Sequence, residues 1–226
     1  MRVSTICAAV FATGITCALA QANCLPAQFQ ATLPAPPQDD WADAQRLQLM
    51  VELRTPERIA AIEQEADDLT FKFWHSAGLQ SRAHPQLERQ ITAVQKIAEK
   101  IVLSLKAQYA RTRPSFADTS LSTVVPVPWH SSYPSGYATQ SMLTALVLGS
   151  AVPGAKDDLK ALAVQVAHGR EIAGLHYASD TQAGFALAYQ IWTALDARCK
   201  PEPLAQYHAI GKDFPTQVAQ TTASNR

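Results

Sequence analysis

Apolar residues recur at intervals of three and four over most of the chain from about Trp41 onward. This spacing places them on one face of an α-helix. The clearest series follows Pro85 and comprises Leu87, Ile91, Val94, Ile97, Ile101, Leu103 and Leu105. Pro114 is expected to end this helix, because proline lacks the N–H group that a helix interior needs.

Helix-start signals place two further helices. Thr55 and Pro56 are typical of an N-cap followed by proline at the first helical position, and that helix is predicted to reach about His75. Ser135 is predicted to cap an apolar helix that ends near Ser150. The segment between residues 115 and 134 is rich in Ser, Pro and Thr, which predicts a long loop.

The remaining breaks divide the last part of the chain into two helices. Residues 152–154 read Val-Pro-Gly, and a helix is predicted over residues 157–173, ended by Gly174. Ser179 or Asp180 is then expected to cap the last long helix. Convincing strand alternation is absent from the sequence, so the fold class is predicted to be all-α, a compact single-domain bundle of about six helices.

The N-terminus has the pattern of an export signal. Arg2 precedes an apolar stretch from Val3 to Ala20, and small residues follow it, which predicts a signal peptide over residues 1–22. Threonines and glycine dilute this stretch, and no second apolar run of about 18 residues follows, so stable membrane insertion is not expected. Residues 23–40 are rich in proline and predict an extended arm before a helical domain over residues 41–226.

Charge and cysteine content narrow the partners and the compartment. The chain carries 19 Lys and Arg against 19 Asp and Glu, a formal net charge of 0, so no overall field attracts it to nucleic acid or anionic lipid. Removal of the signal peptide leaves only Cys24 and Cys199. In an oxidising compartment these two form either one disulfide or two unpaired thiols, and the sequence leaves both open. It also leaves open whether the protein forms a homo-oligomer.

Three polar residues near the last helix have a spacing that suits covalent phosphoryl chemistry. Arg170 can hold an anion, His176 can attack it, and Asp180 lies four residues, about one helical turn, after His176. An imidazole is a useful nucleophile at neutral pH when a carboxylate accepts the proton of one ring nitrogen and leaves the other free. Taken alone, this spacing also arises by chance on a solvated helix face.

Two more segments can hold the anion. Lys106 and Arg113 are seven residues apart, close to two helical turns, so both cations can point the same way. Cations at a helix C-terminus also interact with the dipole, and Arg111 is interpreted as such a residue or as a solvated one. The start of a helix at Ser135 and Gly136 exposes backbone N–H groups with little obstruction, which suits an anion as well as an ordinary N-cap.

Together and in this order, the segments resemble the signature of the phosphatidic acid phosphatase type 2 and vanadium haloperoxidase superfamily. That signature is Lys-x6-Arg-Pro, then Pro-Ser-Gly-His, then Ser-Arg-x5-His-x3-Asp. The corresponding positions here are Lys106, Arg113-Pro114, Pro134-Ser135-Gly136-Tyr137, Gly169-Arg170, His176 and Asp180. The flanking residues look like those of the exported class A nonspecific acid phosphatases, and the resemblance covers roughly residues 50 to 195.

The resemblance implies a metal-independent phosphomonoesterase, periplasmic or secreted, that acts on small phosphorylated substrates. His176 would attack phosphorus to give a phosphohistidine, and Asp180 would hold its imidazole. The phosphate-binding residues would be Lys106, Arg113, Ser135, Gly136 and Arg170. No cofactor is implied, although vanadate would bind the same site as a phosphate mimic.

Two positions depart from the family pattern. Gly169 replaces a serine, which would remove one hydroxyl donor from the phosphate site. Tyr137 replaces the histidine that would protonate the departing alkoxide, and a phenol releases its proton much less readily than an imidazolium ion. Three interpretations remain open: Tyr137 is a weaker donor in an enzyme that favours good leaving groups, His130 supplies the acid, or turnover has been lost.

Two functions other than a phosphatase follow from these alternatives. A vanadate-dependent haloperoxidase would use the same anion site, and halide oxidation with vanadate would identify it. A catalytically impaired phosphate-binding or structural protein would bind phosphate or vanadate without forming a phosphoenzyme.

Overall fold

A computed structural model describes residues 24–205, and this part of the chain is built from helices without strands. Six of the helices have 12 or more residues, which confirms the all-α prediction. The α-helices are α1 Trp41–Glu52, α2 Pro56–Asp67, α3 Phe71–Ser76, α4 Pro85–Tyr109, α5 Pro114–Ala117, α6 Gly136–Ala151, α7 Lys156–Ile172 and α8 Ala178–Ala194. Short 3-10 turns occupy residues 81–83, 153–155 and 197–199.

Helix α6 lies at the centre of the fold. Its sequence is apolar around most of its circumference, and α4, α7 and α8 all pack against it. A helix that is hydrophobic on every side is stable only when it is buried. Its serine and threonine hydroxyls donate to backbone carbonyls, as when the Thr139 hydroxyl donates to the Gly184 carbonyl of α8 at 3.1 Å. The N-terminal ends of α6 and α8 are thereby held together.

The closest approach between these two helices is at Gly184. A Cβ atom added there would lie 2.6 Å from the Ser135 carbonyl oxygen and 2.7 Å from the Ala138 Cβ. Contacts this short are not tolerated, so only glycine lets α8 come this near to the start of α6. The two functional segments around residues 135 and 180 depend on that approach.

The helix predicted over residues 56–75 is two helices, so that prediction was wrong. Helix α2 ends at Asp67, and Asp68 is extended, with φ −144° and ψ 98°. The Asp68 carboxylate accepts hydrogen bonds from the Thr70 N–H at 2.8 Å and the Phe71 N–H at 3.1 Å. An aspartate that bonds to the backbone in this way competes with continuation of the helix and starts α3 instead.

The helix predicted from Pro85 ends five residues before Pro114, which corrects a second boundary. Its last residue is Tyr109, and Ala110 has a left-handed backbone with φ 49°. Pro114 begins the short helix α5 rather than only stopping α4. A proline pushes the residue before it into an extended conformation, and Arg113 has φ −72° and ψ 152°.

The predicted proline-rich arm has no helix over residues 24–40 and lies against the helical body. Leu33 is buried, and its carbonyl accepts a hydrogen bond from the Tyr109 hydroxyl at 2.8 Å. The Pro34 carbonyl accepts one from the Tyr133 hydroxyl at 2.6 Å. The arm is therefore attached close to the ends of α4 and of the long loop before α6.

Cys24 and Cys199 form a disulfide with a Cα–Cα distance of 5.7 Å, which settles the alternative that the sequence left open. The bond joins the start of the arm to the 3-10 turn after α8. The predicted signal peptide over residues 1–22 lies outside the described residues. Among the described helices, none is both long and apolar enough to cross a membrane.

Candidate active site

A cavity of 170 Å³ opens where α4, the loop before α6 and the ends of α6 and α7 meet. Its lining comprises Glu99, Val102, Leu103, Lys106, Arg113, Pro128, His130, Gly136, Tyr137, Gln140, Arg170, Leu175 and His176. Six of the eight site residues predicted from the sequence are in this list. The other two, Ser135 and Asp180, are fully buried behind the wall. Four larger clefts of 510–760 Å³ lie elsewhere on the described surface, and His176 lines none of them.

His176 is placed by the sharp turn between α7 and α8. Gly174, with φ 78°, follows α7, and its N–H donates to the Glu171 carbonyl while the Leu175 N–H donates to the Arg170 carbonyl. These two bonds form the Schellman arrangement, which ends a helix and reverses the chain. His176 and the first turn of α8 follow directly, so Gly174 ends α7 as predicted.

The His176 imidazole is set up as a neutral nucleophile. Its Nδ1 lies 3.2 Å from the Asp180 Oδ2, which fixes the tautomer with the proton on Nδ1 and leaves the Nε2 lone pair free. Burial, assisted by the positive charges of Lys106 and Arg113, lowers the pKa of His176 to about 3 despite the carboxylate of Asp180. The ring is therefore uncharged, and able to attack, over a wide pH range.

Asp180 makes hydrogen bonds through both of its carboxylate oxygens. Oδ2 also accepts from the Tyr177 N–H at 3.0 Å, and Oδ1 accepts from the Arg111 Nη1 at 2.6 Å. Burial alone would raise the pKa of Asp180, but the bonds from His176 and the charge of Arg111 outweigh it and lower the pKa. The carboxylate is thus ionised and fixed in position. The N-cap of α8 is Tyr177, not Ser179 or Asp180 as predicted. Asp180 lies in the first turn, and its carboxylate accepts from the backbone N–H of Tyr177.

Arg111 belongs to this network, so its interpretation as a solvated or dipole-pairing residue was wrong. The side chain is buried, and besides Asp180 it donates to Asp43 at 2.8 Å and to Asp40. Its guanidinium carbon lies 4.2 Å from the centre of the Tyr177 ring. Burial acts to lower the pKa of Arg111, but the surrounding carboxylates, Asp180 foremost, raise it overall.

The early end of α4 explains why Arg111 reaches the site. Residues 110–113 are not helical, and side chains two positions apart on an extended segment point to the same side. Arg111 and Arg113 therefore both face the turn that carries His176. Arg111 bonds to Asp180, and Arg113 bonds to the Leu175 carbonyl and lines the cavity. The sequence Arg-x-Arg-Pro could have indicated this arrangement, because proline favours an extended segment before it. The prediction instead assumed helical spacing.

Lys106 and Arg113 bring positive charge to the cavity without a carboxylate partner in direct contact. The Lys106 Nζ donates to the carbonyls of Ser131 at 2.7 Å and Ser132 at 2.8 Å. The Arg113 Nη1 donates to the Leu175 carbonyl at 2.9 Å. Burial lowers the pKa of Lys106 to about 7, with the charge of Arg113 acting in the same direction, and lowers the pKa of Arg113 to about 10. Buried cations without a bonded carboxylate among the described residues retain the charge that an anion can neutralise.

Arg170 is the third cation, carried by the last turn of α7. Its Nη2 donates to the Ile62 carbonyl at 2.8 Å and lies 3.3 Å from the Glu65 Oε2. Its buried Nε has no hydrogen-bond partner within residues 24–205. On the cavity side, the guanidinium carbon lies 4.2 Å from the centre of the Tyr137 ring. The side chain is thus held from behind by α2 and from the side by an aromatic face.

The backbone N–H groups at the start of α6 fall into two sets, one bonded within the protein and one without an acceptor among the described residues. Ser135 caps the helix as predicted, since its hydroxyl accepts from the Ala138 N–H at 3.3 Å. Its own N–H donates to the Asp180 carbonyl at 2.9 Å and is therefore not directed at a phosphate. The N–H groups of Gly136 and Tyr137 come next, and no acceptor in the described residues takes them. A helix start with free N–H groups is a suitable place for an anion.

A family comparison agrees with this arrangement. Residues 91–197 match the family model described as the PAP2 superfamily, and the match includes every site residue discussed above except Asp40 and those of α1 and α2. Over these 107 of the 226 residues, the chain is similar to the PAP2 superfamily. The family and the site geometry together support a phosphatase-type function.

Among solved structures, the chain is similar to the crystal structure of the first transmembrane PAP2 type phosphatidylglycerolphosphate phosphatase from Bacillus subtilis. The two are 18% identical, the TM-score is 0.49, and the match covers 67% of this chain and 81% of the other. No curated protein matches the chain.

Of the two departures from the PAP2 signature, Gly169 does not line the cavity of His176. A Cβ atom at this position would point at α2, 3.4 Å from both the Glu65 Oε2 and the Ile62 Cγ1. Gly169 lines a separate cleft on that side of α7. A serine hydroxyl at residue 169 would therefore face Glu65 rather than a phosphate.

The second PAP2 departure, Tyr137, does line the cavity. Its ring is half-buried beneath the guanidinium of Arg170, and its hydroxyl has no hydrogen-bond partner among the described residues. The loop residue His130 lines the same cavity. The structure thus brings both candidates for the leaving-group donor to the site.

Proposed function

We propose that the protein is an exported, metal-independent phosphomonoesterase of the acid phosphatase type, acting through a phosphohistidine on His176. The observation that supports this most strongly is the neutral His176 bonded to Asp180 and facing a cavity that also holds Lys106, Arg113 and Arg170. A buried site with three cations and one nucleophile fits a phosphate monoester in both charge and chemistry. Export is supported by the pattern of residues 1–22.

The first chemical step uses the free ring nitrogen of His176. The Nε2 lone pair attacks phosphorus, the bond from phosphorus to the ester oxygen breaks, and that oxygen takes up a proton as it leaves as the alcohol. The imidazole becomes positively charged, and the ionised Asp180 stabilises it through Nδ1. The three cations and the N–H groups at the start of α6 stabilise the charge on the non-bridging phosphoryl oxygens.

The second step returns the enzyme to its starting state. A water molecule attacks phosphorus from the side that the alcohol left, the bond from phosphorus to Nε2 breaks, and inorganic phosphate departs. Asp180 keeps the ring in the same orientation throughout, so the nucleophile is regenerated in place. Fixed cations carry the role that a divalent ion has in many phosphoryl-transfer enzymes.

The two perturbed groups support an acidic working range. The Lys106 ammonium is charged below its pKa of about 7, whereas the His176 ring is neutral above its pKa of about 3. Both groups are in the required state only between these values. Phosphate binding and nucleophilic attack therefore coincide on the acid side of neutrality.

The proposal is tested by turnover of p-nitrophenyl phosphate in the presence of EDTA. The wild-type protein and a His168→Ala control, changed at a histidine that lines another cleft, should release phosphate, whereas His176→Ala should be inactive with an unchanged circular dichroism spectrum. Loss of wild-type activity on chelation would contradict metal independence. Binding of phosphate without turnover would indicate the impaired protein, and halide oxidation with vanadate would indicate the haloperoxidase.

A further inference from the structure

His130 lies on the loop between α5 and α6 and lines the cavity with His176. It is half-buried, with the exposed Trp129 ring packed edge-on beside it at a centroid distance of 5.6 Å. The proposed attack requires a proton for the departing oxygen. The guanidinium groups of Arg113 and Arg170 hold their protons too tightly to give one. Lys106 already donates to the carbonyls of Ser131 and Ser132, and its remaining N–H is assigned to the phosphoryl oxygens. The cavity wall therefore contains one imidazole, His130, without a role in the chemistry described so far.

The contacts of His130 orient its ring. The Nδ1 lies 3.0 Å from the Arg113 Nη2 and 3.3 Å from the Ser131 carbonyl oxygen. In the neutral ring, Nδ1 accepts from Arg113, and the proton lies on Nε2. In the charged ring, Nδ1 carries a proton and can donate to Ser131. The surroundings thus accommodate both states of the ring.

The opposite edge of the ring carries Nε2, which has no hydrogen-bond partner among residues 24–205. It bears a proton in the charged ring, and also in the neutral ring when Nδ1 accepts from Arg113. A protonated ring nitrogen, on a side chain that lines a phosphate-sized cavity, is a donor without a protein acceptor. A substrate oxygen would satisfy it.

We propose that His130 is the leaving-group acid of this enzyme, in the role for which the family pattern uses the residue at Tyr137. As the bond from phosphorus to the ester oxygen breaks, the imidazolium gives its Nε2 proton to that oxygen, and the alcohol leaves. The neutral His130 that remains carries its proton on Nδ1, where the Ser131 carbonyl can accept it, and Nε2 is free. In the second step the same Nε2 takes a proton from the attacking water. This assignment rests on the proposed function, since it requires a covalent step at His176.

Tyr137 is assigned a different role by its contacts. Its ring face supports the Arg170 guanidinium at 4.2 Å, which positions a phosphate-binding cation rather than a proton. A phenol could still donate a hydrogen bond, but it loses its proton far less readily than an imidazolium ion at acidic pH. His130 is therefore a better acid than Tyr137.

A purely structural role for His130 is the competing explanation, because its ring also contacts Arg113. The two explanations differ in their dependence on the leaving group. Loss of an acid slows esters of poorly acidic alcohols by about 10²–10⁴-fold and hardly affects a nitrophenolate, which leaves without a proton. Loss of an anchor for Arg113 weakens phosphate binding and slows both substrates alike.

The experiment measures kcat/KM for β-glycerophosphate and p-nitrophenyl phosphate with His130→Ala, His130→Gln and Tyr137→Phe, with His84→Gln as the control. We expect both His130 variants to lose about 10²-fold or more on the alkyl ester and less than tenfold on the aryl ester. Added imidazole should restore the alkyl-ester rate of His130→Ala and leave the aryl-ester rate unchanged. The control should match the wild type on both substrates.

Equal losses on the two esters in the His130 variants, without rescue by imidazole, would overturn the assignment in favour of an anchor for Arg113. A selective alkyl-ester loss in Tyr137→Phe alone would overturn it in favour of the phenol. Failure of the proposed function is recognised separately, since His176→Ala would then retain the wild-type rate on both esters. In that case the assignment of His130 falls with it.

Discussion

The two sides of the cavity differ in how firmly they are held. On the nucleophile side, His176 is bonded to Asp180, which is bonded in turn to Arg111 and to the backbone of α8. On the leaving-group side, the Tyr137 hydroxyl and the His130 Nε2 have no protein partner in the part of the chain that the structure describes. The first side is a closed buried network, and the second consists of donors that await a substrate.

The difference matches what nucleophilic attack and protonation of the leaving group each require. Attack needs one nitrogen in one orientation, so a network that fixes tautomer and position favours it in every turnover. Protonation needs a group that gains and loses a proton, so alternative partners for its ring are an advantage. Changes on the nucleophile side should therefore affect all substrates, and changes on the other side should depend on the alcohol that leaves.

The largest effect is expected for Asp180→Asn. The amide cannot stabilise a positively charged His176 and favours the wrong tautomer, so kcat should fall by about 10³–10⁴-fold, as for the carboxylate of a catalytic triad. The fall should be equal for aryl and alkyl phosphates, which steady-state kinetics on both will show. A loss confined to one class of ester would break the proposed division between the two sides.

Arg111→Met should have the next largest effect. It leaves Asp180 ionised and oriented through one bond fewer, so kcat should fall by about 10–100-fold with little change in KM, the size typical of residues that orient a ligand from behind. The free energy of unfolding should also fall by about 3–5 kcal/mol, because Asp40 and Asp43 lose their buried partner as well.

A matched change at the surface provides the control for this prediction. Arg198→Met removes an exposed arginine that pairs only with Asp196 within the described residues. Urea unfolding and kinetics should both resemble the wild type, because exposed ion pairs contribute little. If both arginine variants behaved alike, the buried network around Arg111 would have no special part in orienting Asp180.

The dependence of kcat/KM on pH should show the titration of Lys106. Above its pKa of about 7 the Lys106 ammonium loses its charge, so kcat/KM for p-nitrophenyl phosphate, whose leaving group needs no acid, should fall by about tenfold per pH unit on the alkaline side. Below a pKa of about 3 the His176 ring gains a proton and can no longer attack. Lys106→Arg should move the alkaline limb upward, because a guanidinium stays charged there, and an unmoved limb would assign it to another group.

The smallest effect is expected for Tyr137→Phe. The phenylalanine ring still supports the Arg170 guanidinium, so kcat/KM should change by less than about threefold, and KM for phosphate esters should be preserved. Tyr137→Ala removes the support and should raise KM more than it lowers kcat. A larger loss of kcat/KM in Tyr137→Phe than in Tyr137→Ala would show that the hydroxyl, and not the ring, supports activity.

The sequence predicted the fold class and most of the site because both depend on local patterns. Helical periodicity revealed α4 and α6, and the residues of the nucleophile, carboxylate and cations follow a spacing that a single turn after α7 preserves. Ser135 was assigned to the phosphate, whereas its N–H and hydroxyl hold Asp180 and the helix start together. A serine at an N-cap can serve either purpose, so the residue type alone did not distinguish them.

The role of Arg111 could not be predicted, and the choice between His130 and Tyr137 stayed open, for a different reason. Both depend on where the chain goes after α4 ends at Tyr109, and a left-handed alanine at residue 110 leaves no strong sequence signal. Arg113 was predicted in the site because it lies about two helical turns after Lys106. The structure also places it at the cavity, but for another reason, since the residue lies beyond the end of the helix. Contacts between a loop and a distant turn are set by packing of the whole fold, not by local pattern.

The most direct test of the account is to locate the phosphoryl group on the enzyme. Rapid mixing with p-nitrophenyl phosphate, followed by alkaline quenching and peptide mass spectrometry, should find an acid-labile phosphoryl group on the peptide that contains His176. The same label should be absent from His176→Ala and should accumulate within the first turnover. A phosphoryl group on any other residue, or phosphate release without a labelled enzyme, would contradict the central claim.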